Sequence, residues 1–524
     1  MSALRYHEAT KHYFGRFARA LGYLDWATQP DPFRRFAGAA LIDLSREPLA
    51  SDVAYDALYD GTAPSRAIDL PAIGEFLRCS MGLSAWKQYG TTRWPLRVNP
   101  SSGNLHPTET YVVWNGRVCH YAVREHALEE RTIAPSHART IAPGDPGFLV
   151  GLTSIYWREA WKYGERAFRY SQHDTGHAIG ALRLAASMMG WRLALLPNWS
   201  DEEIAAVLGV GRDEDFDGAE REDPECIAIV TAGDPAPFLD AGPAPWVEAA
   251  RGAEWQGRAN RLSPDHVEWS LIDEVAKATR YPSGASPVGL AWANLTRFAP
   301  QGQSSAAARD IMLQRRSAQA FDPSAPPLAR DAFFAMLDRL QPGAPPWDAI
   351  GWPPHVHLAI FVHRVEGLVP GLYAYLRGPS VLAEWKAAMR PEFLWERING
   401  PNDLFLLVPI DCRQMGKRVS CDQDIAADGF FGLGMIARFE APLREHGDWM
   451  YRRLFWESGL IGQVLYLEAE AAGARATGIG CYYDDPMHEL LGLSGTDWQS
   501  LYHFSMGKPI EDTRLTTEPG YPWE

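Results

Sequence analysis

Sliding the chain along itself by 283 residues (459 − 176) sets two stretches in register without a gap: GHAIGALRLAASMMGWR from Gly176, and GLIGQVLYLEAEAAGAR from Gly459. Gly176 meets Gly459, Leu182 meets Leu465, Leu184 meets Leu467, Gly190 meets Gly473, and Leu208-Gly209 meets Leu491-Gly492. A repeat at one offset constrains the fold more than any local pattern, because each copy must bury the same kind of face in the same kind of setting. Residues 163–191 carry helical spacing of apolar and small residues. Gly176 and Gly180 stand one turn apart in that pattern. Glycine costs a helix interior about 1 kcal/mol relative to alanine, so this spacing predicts close approach by another helix or a ligand.

At 524 residues the chain is too long for one ordinary core. The expected organisation is an N-terminal helical segment over 1–70, one unit over 71–240, a linker with a single helix over 241–308, and a second unit over 309–524. The helical spacing of Tyr6, Tyr13, Phe14, Phe17, Leu21 and Leu24 supports the first of these. Asn115-Gly116 between two apolar runs predicts a hairpin. In the linker, SPDHVEWSLIDEVAKAT predicts a helix capped by Ser263 with Pro264 at its first position. The fold class expected is α+β.

A net charge of −15 argues against nucleic-acid or anionic-membrane partners, so a phosphate ligand needs its own local cations. The six cysteines form no CxxC pair and read as reduced thiols of a cytoplasmic protein. The N-terminal stretch has no apolar signal-like run, and no segment is apolar enough to span a membrane.

The stretch RVNPSSGNLHPTETY, Arg97 to Tyr111, is neither helix nor central strand, because Pro100 and Pro107 lack a donor and Gly103 favours a left-handed turn. Pro100, Ser101, Ser102, Gly103, Asn104 and His106 form a polar loop whose donors and acceptors suit the edge of a heteroaromatic ring. PSSGNLHPTE resembles the ring-binding loop of the nitroreductase superfamily of FMN flavoproteins, and within it the branch of SagB-type dehydrogenases that oxidise azoline rings in peptide natural products.

That resemblance implies two fused nitroreductase-like domains, each an antiparallel-rich sheet flanked by helices, forming a pseudo-dimer within one chain. FMN would lie between them. It implies phosphate binding by Arg315, Arg316 and Ser317, with Lys508 and Arg514 of MGKPIEDTR as further phosphate ligands. Gly480 or Cys481 would donate a backbone N–H to the flavin N5, where the other half has Pro197 and no donor. Arg78-Cys79-Ser80 keeps only part of a phosphate turn, so one working flavin site per chain is expected and its counterpart vestigial. His106 and Glu109 either contact ring or substrate or fix the loop.

Lys162 and Tyr163 resemble the Lys-Tyr pair that azoline dehydrogenases need, and would handle the proton that accompanies hydride transfer. No metal is expected. His173 and His177 have ligand spacing but no third ligand in sequence. The implied activity is hydride transfer between flavin N5 and a small organic or peptide-derived, azoline-like substrate. NAD(P)H or oxygen would be the redox partner, and the chain a monomer or a homodimer. The alternatives are an NAD(P)H-dependent nitro or quinone reductase and a non-catalytic flavin-binding protein.

Overall fold

The computed structural model describes residues 2–133, 147–239, 242–285, 306–378, 381–400 and 403–524. Most of the connector's second half, residues 286–305, lies outside the described residues.

Two seven-stranded antiparallel sheets dominate the architecture. The first runs in space through Arg192–Leu195, Asp223–Thr231, Gly147–Ser154, Thr108–Trp114, Arg117–Ala122, Ala127–Glu130 and Ala40–Asp43. The second runs through Arg475–Ile479, Trp498–Gly507, Phe431–Arg438, Val356–Val362, Gly371–Tyr375, Leu404–Pro409 and Glu396–Arg397. Six places correspond in chain order. The seventh is taken by an upstream strand in one sheet and by a local hairpin in the other. Asn115 and Gly116 both have positive φ, 49° and 75°, and make the predicted hairpin turn.

The 283-residue offset holds element by element. The helix Ala167–Met188 corresponds to Met450–Ala471, and Asp201–Leu208 to Asp484–Leu491, each shifted by that number at both ends. Both short helices end on a left-handed glycine, Gly209 and Gly492. The two long helices cross at their matched glycines. A Cβ on Gly176 would stand 2.2 Å from the carbonyl oxygen of Trp456, and one on Gly459 would stand 2.2 Å from that of His173. The contact is isologous: residue for residue, each half offers the other what it receives. Buried ion pairs repeat the symmetry, since Arg169 binds Asp484 at 2.8 Å while Arg452 binds Asp201 at 2.6 Å. The fold is therefore α+β, with two sheet-and-helix units paired inside one chain.

Strand alternation divides the core. Val112, Val150, Leu358 and Ile360 face the central helices and join one continuous cluster with Ile179, Leu182, Leu460 and Leu465. Tyr111, Val113 and Leu149 turn to a separate outer cluster, as do Ala359, Phe361 and Leu372 on the other sheet. A third sheet ties the ends together, because Thr516–Pro519 pairs with Leu83–Tyr89, which pairs with Thr92–Arg97.

Two expectations need correction. The first 70 residues are mostly not helical: only Ala3–Ala9, Ala57–Asp60 and the start of Leu70–Ser80 are α-helix there. Gly15 and Gly22 have φ of 73° and 80°, which interrupts the Tyr13–Leu24 pattern, and its aromatics pack individually, as Phe14 does on Tyr483. The 241–308 stretch holds at least two helices and not one, Ala244–Gly252 and Ser270–Ala278, and the second begins at Ser270, not Pro264, capped by Trp269 without a side-chain bond. Ser263 instead bonds the Trp157 indole and the Thr28 carbonyl. Among the described residues no helix is long and apolar enough to cross a membrane.

Candidate functional site

A cavity of about 400 Å³ opens between the two halves. One wall is the Pro100–Asn104 loop, and the opposite wall is Arg315–Ser317 with Gly478–Cys481. The two stretches are separated by more than 200 residues in sequence and are brought together by the crossing of the long helices, the third sheet and the bonds from Arg315 to Arg97 and Val98.

The loop is held in a costly conformation. Gly103, Asn104 and His106 have φ of 59°, 61° and 53°, in the left-handed region that non-glycine residues seldom adopt. Side-chain bonds over-determine it. The Ser102 N–H and hydroxyl donate to Asp174 at 3.0 and 3.1 Å. The His106 N–H donates to Ser101 Oγ at 2.8 Å, and the Asn104 amide donates to the Pro95 carbonyl at 2.8 Å. Gly103 cannot carry a side chain, because a Cβ there would stand 2.5 Å from the Tyr163 hydroxyl and 3.2 Å from Lys162 Nζ.

Behind the loop lies a buried charge network. Arg158 donates to the His106 carbonyl at 2.7 Å and pairs with Glu109, which also meets His120 at 3.1 Å and Arg97 at 3.8 Å. Burial alone would raise the Glu109 carboxyl, but Arg158, His120 and Arg97 together hold it well below the usual range. Burial would lower His120, yet its bonds to Glu109 and Glu129 push it up to about 9. Of the two roles open to Glu109, the geometry assigns it to fixing the loop, since it does not line the cavity.

On the facing wall, Arg315 donates to the carbonyls of Val98 and Arg97 at 3.2 and 3.0 Å, and its guanidinium lies over the Tyr466 ring. Arg316 donates to Leu313, Arg315 and Ser84 carbonyls at 2.8, 2.7 and 2.8 Å. Neither has a carboxylate partner among the described residues. Burial, then the neighbouring Arg315, pulls Arg316 down to about 9. The Ser317 hydroxyl and the Gly478 N–H both meet the Tyr466 hydroxyl, at 3.0 and 2.8 Å. Gly480 gives its carbonyl to Tyr170 at 3.1 Å, and a Cβ on it would stand 2.5 Å from the Tyr170 ring. Its N–H meets no loop or side-chain acceptor among the described residues.

Pro100 to Asn104, His106, Arg315, Arg316, Ser317, Gly480 and Cys481 thus all line one cavity, as does Tyr163. Lys162 sits at its edge, exposed, with Nζ 5.2 Å from the Tyr163 ring centroid. Lys508 and Arg514 do not line it. Lys508 reaches the Gly473 carbonyl at 3.2 Å, and Arg514 is neutralised by Asp512 at 2.8 Å with its side chain 72% exposed. The segment itself stays at the site, since Ile510, Glu511, Asp512 and Leu515 line the cavity, but the Lys508 and Arg514 side chains do not. Lys87 and Arg475 take up the cationic positions instead. Sequence reasoning missed them, as it missed Tyr170, Asp174, Tyr466 and Tyr502. The one signal for Asp174 is its place on the long helix, a turn after Tyr170.

Four polar atoms on cavity-lining residues are buried without a protein partner among the described residues: Asn99 Oδ1, His106 Nδ1, His177 Nδ1 and Arg97 Nε. In the first half, Arg78 is paired with Glu524 and the Ser80 hydroxyl caps the Phe76 carbonyl, so the partial phosphate turn there is spent. The pseudo-equivalent place around Leu195–Pro197 has a cavity of only about 40 Å³, lined by Trp199, Trp352, Trp449 and Trp456.

One group of soft donors stands at the rim. His12, Cys421 and Cys481 have ligand atoms within 4.8 Å of one another. The two sulfurs are 2.9 Å apart, closer than the roughly 3.8 Å that Zn–S bonds of about 2.3 Å at tetrahedral angles require. The spacing is that of a thiol pair. His173 and His177 are not ligands together: His173 Nε2 donates to the Leu501 carbonyl at 3.0 Å and its ring stacks on Tyr502, while His177 Nε2 meets the Tyr502 hydroxyl at 3.3 Å.

Residues 64–218 match the model of the nitroreductase family. A candidate nitroreductase from Anabaena variabilis is similar over 97% of this chain and 100% of its own, with 20% identity and a TM-score of 0.70. A candidate nitroreductase from Ralstonia eutropha covers 38% of this chain and 82% of its own at 16% identity, TM-score 0.27. The E. coli microcin synthetase McbBCD complex with truncated pro-MccB17 bound is similar over 38% of this chain and 77% of its own, with 18% identity and a TM-score of 0.26. No curated protein sequence matches. Residues 64–218 are therefore similar to the nitroreductase family, and a nitroreductase fold extends over the length of the chain.

Proposed function

We propose that this protein is an FMN-dependent oxidoreductase with one flavin site per chain, in the tandem form of the SagB-type branch. The observation that carries the reading is the pair of guanidiniums with no ion-pair partner among the described residues, Arg315 and Arg316, facing the strained Pro100–Asn104 loop across one cavity. A buried cation without an anion is costly, and a phosphate would relieve two at once. A guanidinium has five N–H donors. Arg316 spends three on carbonyls and Arg315 two, which leaves two and three for phosphate oxygens. The unpartnered atoms of Asn99, His106 and Arg97 fit the polar edge of a ring in the same way.

The chemistry supplied by FMN when bound is reversible uptake of a hydride. The loop residues and Gly480 would orient the ring, and Arg315, Arg316 and Ser317 would anchor the phosphate. Lys162 and Tyr163, both beside Gly103, would move the proton that accompanies the hydride. The substrate class is a small organic or peptide-derived molecule with an azoline-like ring.

Flavin released by heat and counted against chain tests this reading. One FMN per chain is expected, lost in Asn104→Ala and Arg316→Ala alike. Two per chain, or none after reconstitution, would overturn the single cross-domain site. Rapid bleaching by NADPH would make the protein a nicotinamide-driven reductase of nitro compounds or quinones instead.

A further inference from the structure

Glu159 and Asp174 are buried beside the same loop, with 0% and 1% exposure. They come from adjacent helices, Tyr156–Tyr163 and Ala167–Met188, and their carboxyls lie next to each other and near Ser101. Neither has a cation within ion-pair distance among the described residues. Both Glu159 oxygens lack a donor, whereas Asp174 is served by the Ser102 N–H and hydroxyl. The groups that face them are Lys162 and Tyr163 on the first helix, Tyr170 on the second, Ser101 and Ser102 on the loop, and Tyr502 on the strand Trp498–Gly507. Two neighbouring carboxylates in such a place resist ionising together, because each desolvated charge repels the other and only the Ser102 donors and Lys162 offset it.

We propose that Glu159 and Asp174 share one proton at neutral pH and act as the proton store of this site, exchanging protons with substrate through Tyr163 and Lys162. This rests on the oxidoreductase reading above. When a substrate is oxidised it loses a hydride to the flavin and a proton to Tyr163 or Lys162. That proton passes to the pair, which goes from singly charged to neutral, and leaves to solvent along the exposed Lys162. In the reductive direction the pair gives its proton up. Burial pushes Asp174 up to about 7, and burial together with Asp174 raises Glu159 well above the usual carboxylate range, so Asp174 can exchange a proton near neutral pH. Asp174 lines the cavity and Glu159 does not, so Glu159 acts through its neighbour.

Infrared spectra of flavin-free protein at pH 7 test the shared proton without any turnover. A protonated carboxylic C=O band is expected in the wild type and lost or shifted in Glu159→Gln and in Asp174→Asn. Absence of the band in the wild type, or its persistence unchanged in both variants, would overturn the proposal. In FMN-loaded protein reduced with dithionite, oxidation by p-benzoquinone should slow tenfold per pH unit above about 7 in the wild type. The profile should be flat in both variants; an inflection that both retain, or none in the wild type, counts against the relay. If FMN does not bind at all, the cofactor reading falls while the infrared result still decides the shared proton.

Discussion

Replacing Arg316 by alanine separates phosphate recognition from ring recognition. The two donors that Arg316 leaves uncommitted would make charge-assisted bonds to a phosphate, each worth about 1.5–3 kcal/mol. Loss of even one such bond weakens FMN about 10- to 150-fold, at about 1.4 kcal/mol per factor of ten. Riboflavin has the same ring and no phosphate, so its affinity should change less than about threefold on the same scale. Fluorescence quenching titrations of wild type and Arg316→Ala with both flavins give the four dissociation constants needed. The variant also frees three carbonyls, of Leu313, Arg315 and Ser84, so a melting curve must show that the fold survives. Equal losses for FMN and riboflavin would mean that Arg316 holds the wall together and does not read phosphate. No loss for either would refute its place in the site.

Three other outcomes follow from the geometry. Gly459→Val should lower the melting temperature sharply, by the equivalent of about 3 kcal/mol or more, because its side chain has no room against the His173 carbonyl; an unchanged melt would disprove the tight crossing. The Glu109–His120 network should give the wild type a pH signature measurable by thermal melts. Glu109 is held low, so its contribution is present above the usual carboxylate range and lost in acid, whereas His120 is raised to about 9, so its contribution is full below its ordinary 6.5 and lost as pH rises through about 9. The stability gap between wild type and His120→Gln should therefore narrow from pH 7 to pH 10, and a constant gap would count against it. Mild oxidation should join Cys421 to Cys481, lowering the titratable thiols by two in the wild type and not in Cys421→Ser.

Much of the site was legible because its chemistry is written in contiguous residues. The Pro100–Asn104 loop announces itself through residues that cannot continue a helix or strand, and Arg315-Arg316-Ser317 through adjacent cations in an acidic chain. The segment MGKPIEDTR misled for the same reason: its cations are local, but which of its side chains face the cavity is not, and Ile510, Glu511 and Asp512 line it while Lys508 and Arg514 face solvent. Asp174 and Glu159 were illegible. A carboxylate on a helix reads as a solvated face until the packing of two helices and a loop removes its water.

The sequence by itself determined the duplicated plan, since glycines and leucines at one offset already specify two helices with the same buried face. It also determined that one half holds the polar loop and the other the paired arginines. Tertiary structure alone decided that these halves meet. Glycines at the crossing let the two long helices approach backbone to backbone, and that contact, with the third sheet, sets the loop opposite the arginines, closes the counterpart site with tryptophans, and strips water from the carboxyls between them.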